Sequence, residues 1–330
     1  MGVRPRLRRG RHVAHPPRRR IALHLHRDPR AAPRAPPAGR GGRAVTRRTW
    51  LGLARHAPLL VWTAITLAPI YWMVMTSFKH SGEWVTWPPR WVPHEPTLIN
   101  YVKVLTPGTS TFELGRQTLK ILKPLWDSLF IATTASLVAV VLGSALAYSW
   151  TRFGTGGRRY PYNILSIRMV PPIVIAVPFV VYYVTLRLLD TYTGLILVYL
   201  ATSLPYVIWM MLAFIEEVPV ELEHAARVMG ASRFRVLGRI VLPLTAAGLV
   251  VTFLFVFILN WSELLLAMTL TNTEVSTIPI TLNKFQSANE GRDYGPQAAI
   301  GTIATLPVIV LGFLIQKHLV RGFSFGLLRK

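Results

Sequence analysis

Two carboxylates stand inside a chain that otherwise avoids charge over long distances. Glu263 lies between Ser262 and Leu264 late in one uncharged run, and Asp127 opens another. A carboxylate at membrane depth is costly and marks a solute contact or a hydrogen bond between helices. Glu263, with Asn260 and Trp261 beside it, is read first as a structural hydrogen bond and second as part of a substrate path. Asp127 is read as an interfacial residue. Neither has the partner acid, base or ligand spacing of a catalytic site, and no H-E-x-x-H or G-x-S-x-G occurs, so no catalytic and no metal-binding residues are expected. The absence of cysteine removes disulfides, thiolate metal sites and cysteine nucleophiles together. The dipeptide Gly-Lys is also absent, and with it the G-x-x-x-x-G-K-[ST] loop that cradles phosphates. No cofactor is therefore expected on this chain. Tyr182, Tyr183, Tyr199 and Trp209, like Asn260 and Trp261, could line a solute path, but most residues of these types in spans are lipid-facing or packing groups.

The densest pattern is Glu216 to Pro243, EEVPVELEHAARVMGASRFRVLGRIVLP. Pro219 suits the first helical position, and the good helix formers that follow predict a short helix ending at Gly230 in a left-handed stop. Ser232 then caps a second helix, carrying Arg233, Arg235 and Arg239, that enters an apolar span near Pro243. Leu222, Ala225, Ala226 and Met229 recur at helical spacing, so one face is expected to be small and apolar and another charged. Such a helix-turn-helix can receive a protein partner or lie on lipid headgroups.

The elements that must hold this loop are membrane spans. The 330 residues are 52% hydrophobic and 15% charged, against about 25% charged in ordinary soluble domains. Six stretches, His56 to Phe78, Ser128 to Thr151, Met169 to Leu186, Thr191 to Ile215, Ile240 to Ser262 and Tyr294 to Gln316, each hold at least 18 residues without Lys, Arg, Asp or Glu. About 20 apolar helical residues cross a bilayer. The third stretch is the shortest; it is expected to begin near Pro161, enclose Arg168 and bend at Pro171, Pro172 and Pro178. Arg152, Arg158 and Arg159, Arg227 to Arg239, and Lys317 to Lys330 fall on one side of such a chain, which is therefore cytoplasmic, with both termini. The outer side holds Lys79 to Pro124, the turn at Asp190, and Thr271 to Asp293. Its Trp84, Trp87, Trp91 and Tyr101 read equally as a docking platform and as an aromatic belt.

Residues 1–55 hold 16 Arg, no Lys and one acid, Asp28. Residues 1–49 are read as a disordered arm, and 50–330 as the transmembrane domain. Its runs Arg18-Arg19-Arg20 and Arg47-Arg48 could bind nucleic acid or anionic lipid, but a solvated tail, or a start site placed too far upstream of Val45, is the preferred reading, so no nucleic-acid partner is expected.

Ala225-Ala226, Gly230, nine residues, then Ile240, Val241, Leu242, Pro243 resembles the EAA loop of the membrane subunits of bacterial ATP-binding-cassette importers. RMVPPIVIAVPFVVYY at Arg168 to Tyr183, NWSELLLAMTLT at Asn260 to Thr271 and QKHLVRGFSFG at Gln316 to Gly326 are similar to maltose-type (MalG-like) sugar permeases. The resemblance covers Trp50 to Gly326. It implies an all-α bundle of six transmembrane helices in the bacterial cytoplasmic membrane. It further implies a second, different permease subunit, two copies of a cytoplasmic ATPase that hydrolyses the ATP, an extracytoplasmic solute-binding protein, and a sugar, oligosaccharide or disaccharide, as cargo. The implied ATPase-coupling residues are Glu221, Glu223, His224, Ala225, Ala226, Gly230, Ala231, Ile240, Leu242 and Pro243. Two positions depart from the family pattern: His224 stands where it carries Glu, and Met229 where it carries Asp. Rival readings are the same architecture for another solute such as a polyamine, a proton-coupled secondary transporter using Asp127 and Glu263, and an integral-membrane enzyme.

Overall fold

A computed structural model describes residues 41–106, 121–157, 159–284, 286–287 and 291–326. The chain divides into two compact units, Met1–Val61 and Trp62–Lys330. In the first, the described residues are the opening of helix α1 (Gly41–Ser77). Residues 41–49 belong to this helix. Ala44, Arg47, Arg48, Leu51 and Leu53 are good helix formers that run directly into the apolar span. Residues 1–40, with the Arg18-Arg19-Arg20 run, lie outside the described residues.

The second unit is helical. Short α2 (Ile99–Leu105) precedes α3 (Leu122–Phe153), which packs along α6 (Tyr192–Glu216). The buried stripe of α3 is built from small residues, Ala132, Ala135, Ser136, Ala139, Gly143 and Ala147. Small side chains let membrane helices approach until their backbones nearly touch. At Gly143 a β-carbon would stand 2.5 Å from Val207 Cγ1 of α6, so no larger residue fits. Between these helices come α4 (Tyr160–Ser166) with a 3-10 turn at Ile167–Met169, and α5 (Pro172–Thr185). After α6 follow α7 (Val220–Val228), α8 (Arg233–Val236), a π-turn Leu237–Val241, α9 (Leu242–Leu244) and α10 (Ala246–Trp261). Then come α11 (Leu265–Leu270), α12 (Ile278–Lys284) and α13 (Tyr294–Gly326). A two-residue antiparallel pairing, Gln286–Ser287 with Gly291–Arg292, is the extended structure among the described residues.

Among the described residues four helices are long and apolar enough to span: His56–Ser77, Leu122–Phe153, Tyr192–Glu216 and Tyr294–Leu314. Two bent pairs raise the number to six if each is one span: Tyr162–Met169 with Pro172–Thr185, bent by 90°, and Arg233–Leu244 with Ala246–Trp261, bent by 81°. The first bend falls at Pro171 and Pro172, as the sequence predicts, because neither proline can donate a helical hydrogen bond. The second lies between Leu244 and Ala246, just beyond Pro243, where the sequence places the entry into the span. The helix there first widens into the π-turn, which accommodates the missing proline N–H, and then breaks at Thr245.

Two further carboxylates fix the outer end. Asp190 accepts from the N–H groups of Asn272, Thr273, Glu274 and Val275 at 2.9–3.0 Å. Burial works against its charge, but those four donors outweigh it and hold the carboxyl well below the usual carboxylate range. Asp127, near the outer end of α3, is fully buried within the protein and accepts from Lys123 Nζ at 2.8 Å, Tyr192 Oη at 2.7 Å and Ser276 N at 3.1 Å. Ser128 Oγ accepts from Ile278 N at 2.7 Å. The segment after α11 is thus tied by its backbone to α3 and to the α5–α6 turn.

Of the outer tryptophans, Trp91 packs edge-on to Trp72 at 5.4 Å and Trp84 donates to the Lys79 carbonyl, while Trp87 is exposed.

Candidate functional site

The loop between α6 and α10 carries the site. Pro219 occupies the cap of α7, one position before its first residue, and Glu221 and Glu223 sit in the first turn where the helix dipole favours negative charge. Glu223 does not face outward. It is 4% exposed, and its carboxylate accepts from Arg152 Nε at 2.7 Å and Tyr148 Oη at 2.7 Å, both on α3. A terminal nitrogen of Arg152 also donates to the carbonyls of Ile215 and Val218, at 3.0 and 2.7 Å. One guanidinium therefore ties the end of α3, the last turn of α6 and α7 together, and supplies donors to carbonyls where α6 stops.

Ala226, one turn beyond Glu223, is buried in a cluster with Ala147, Tyr148, Ile215, Val218 and Val236. The single apolar face expected from Leu222, Ala225, Ala226 and Met229 is consequently divided. Ala226 faces the bundle with Glu223, whereas Leu222, Ala225 and Met229 are exposed. At 100° per residue Leu222, Ala225 and Met229 lie to one side of Ala226 and Glu223 to the other, so the contact with the bundle takes only the edge of the stripe.

The exposed side continues around the turn. Glu221, His224 and Arg227 are exposed, and Val228, Met229 and Phe234 are 90%, 82% and 89% exposed. Gly230 has φ +85°, with open space around its missing side chain, so backbone conformation alone selects glycine there. Its N–H donates to the Arg227 carbonyl and that of Ala231 to Ala226, which closes α7. Ser232 Oγ then accepts from Arg235 N at 3.4 Å, capping α8 as expected. Arg233 stacks 4.5 Å over the Phe153 ring. Ala231, Ile240 and Leu242 are half-buried and Pro243 is exposed.

The residues read as a substrate path are used internally. Asn260 is buried between helices, accepting from Ser203 Oγ at 3.1 Å and donating to Ser136 Oγ at 3.0 Å, so it joins α3, α6 and α10. Trp261 stacks on Phe257 at 5.7 Å within the outer core. Glu263 accepts from Leu266 N at 3.0 Å, which caps α11, while its carbonyl accepts from Tyr199. Tyr183 donates to the Gly194 carbonyl; Tyr182 and Trp209 are exposed. Arg152 and Tyr148 are the residues that sequence reasoning missed. Arg152 signalled only sidedness, and no local spacing links it to Glu223.

Residues 139–325 match the family described as "Binding-protein-dependent transport system inner membrane component". The chain is 32% identical over 267 residues to the trehalose/maltose transport system permease protein MalG of Thermococcus litoralis, covering 80% of this chain and 92% of that one. It is 34% identical over 228 residues to the trehalose transport system permease protein SugB of Mycobacterium tuberculosis, covering 67% and 83%. Among solved structures, a chain of a bacterial ABC transporter involved in the import of the acidic polysaccharide alginate superposes with a TM-score of 0.64 at 21% identity, over 86% of this chain and 99% of that one.

Proposed function

The chain belongs to the binding-protein-dependent transport system inner membrane components, and from that premise we propose that it is a permease subunit of an ATP-driven sugar importer that couples to its ATPase through Glu216 to Pro243. It is a multi-pass protein of the cytoplasmic membrane. The observation that carries the coupling role is the two-sided α7. One side is bolted to α3 by the Arg152–Glu223 pair, and the other presents Val228, Met229 and Phe234 to the surroundings. A push on the exposed side is thereby passed to a long membrane helix rather than absorbed by a loose loop.

The cargo assignment rests on the relatives, which are permeases of trehalose/maltose and trehalose transport systems. ATP hydrolysis is assigned to two copies of a separate ATPase, the other half of the pathway to a second permease subunit, and delivery to an extracytoplasmic binding protein. Gentle solubilisation of the tagged chain followed by mass spectrometry tests the assembly. Recovery of an ATPase and a second multi-span permease is expected, and uptake of labelled sugar by the reconstituted complex only with ATP. Recovery of the chain alone, active without ATP, would overturn the reading.

A further inference from the structure

Arg168 is a cation without a counter-charge. It sits in the 3-10 turn between α4 and α5, at the 90° break. Its guanidinium lies 4.7 Å over the Tyr206 ring of α6, and one terminal nitrogen donates to the Tyr206 hydroxyl at 3.4 Å. Its Nε is buried with no hydrogen-bond partner among the described residues. The ion pairs of those residues are Arg90–Glu83, Lys123–Asp127 and Arg152–Glu223, so no carboxylate neutralises it.

Depth makes this informative. At about 1.5 Å per residue, Tyr206 stands about 21 Å from the start of α6 and about 15 Å from its end, well inside the span. A cation at such depth is costly, and is kept where a polar partner or a wet cavity receives it. Broken backbone at such depth is tolerated for the same reason, where it lines a cavity or is buried in protein. Tyr206 also meets Phe255 of α10 edge-on at 5.6 Å, and Phe255 remains exposed. Two bent spans and α6 thus bring a guanidinium, a phenol and an open aromatic face to one place. Ring faces suit the C–H faces of sugars, and unpaired N–H groups suit their oxygens. Asn260 and Glu263, by contrast, have their side-chain polar groups engaged within the fold.

We propose that Arg168, Tyr206 and Phe255 form a sugar-contact site on the translocation path, with the Arg168 guanidinium donating from a terminal nitrogen to an oxygen of the passing sugar. This rests on the reading of the chain as a sugar-importer subunit. The test uses the complete transporter in proteoliposomes with labelled glucose, maltose and trehalose. Arg168→Gln is expected to lower sugar uptake about tenfold per ATP hydrolysed, while ATPase copurification and binding-protein-stimulated hydrolysis stay within about twofold of wild type; Arg168→Lys is expected to fall between. Unchanged uptake by Arg168→Gln overturns the site. Loss of copurification or of stimulated hydrolysis together with uptake also overturns it, since that is the pattern of a structural ion pair with the second permease subunit. Wild-type vesicles that take up none of the sugars overturn the importer reading itself, and the site with it, before any variant is compared.

Discussion

The Arg152–Glu223 pair is the most constrained interaction of the coupling loop. Its side chains are only 10% and 5% exposed, so solvent screens the pair little. Removing one partner leaves the other charge buried, a change that costs about 3–5 kcal/mol. Glu223→Ala should therefore lower the thermal midpoint of the purified transporter markedly. Tyr148→Phe, which deletes one hydrogen bond and leaves the ion pair, should cost about 0.5–3 kcal/mol. Melting curves of the two variants check the order; a Glu223→Ala protein as stable as wild type would remove the anchor from the account. Lysine at 152 could keep the charge but not the fork that reaches both Glu223 and the carbonyls of Ile215 and Val218.

The turn joining α7 to α8 depends on Gly230, because φ +85° is a conformation that a β-branched side chain adopts only under strain. Gly230→Val should cost about 1–3 kcal/mol locally. The loop would shift rather than the bundle unfold, since no neighbour lies within 4 Å of the added carbon. Membrane insertion should survive while sugar uptake and its coupling to ATP hydrolysis fall. Uptake equal to wild type would count against the coupling role. The two bent spans show how elements and sequence relate. Pro171 and Pro172 announced their break, but no residue type at Thr245 marks the second one, which follows a π-turn flanked by the buried Val236 and Val241.

A permease subunit works only if its two arrangements are close in free energy and a partner tips the balance. Reversing a 1:99 population takes about 5.5 kcal/mol of differential binding, which ATP and the ATPase must supply through the loop. The Arg-rich residues 1–44 precede the spanning part of α1 and are not required by this scheme. A chain beginning at Val45 should assemble and transport like the full chain; loss of copurification with the ATPase in that variant would show that the arm is a working domain.

Composition and charge spacing were enough to read a membrane bundle, because a bilayer demands long uncharged runs and leaves cations where helices end. The pattern of Ala225, Ala226, Gly230 and Pro243 likewise marked the loop between α6 and α10, since a helix stop and a helix cap are local events written in neighbouring residues. What the sequence could not determine was which side chains meet. Glu223 and Arg152 are 71 positions apart, and Arg168 and Tyr206 are 38 apart. Asn260, legible as a polar group in a span, became an interhelical hydrogen bond only when Ser136 and Ser203 arrived from two other helices. Local periodicity fixes where a helix turns and ends, but burial and partnership depend on how the helices pack, and that is decided by the tertiary structure.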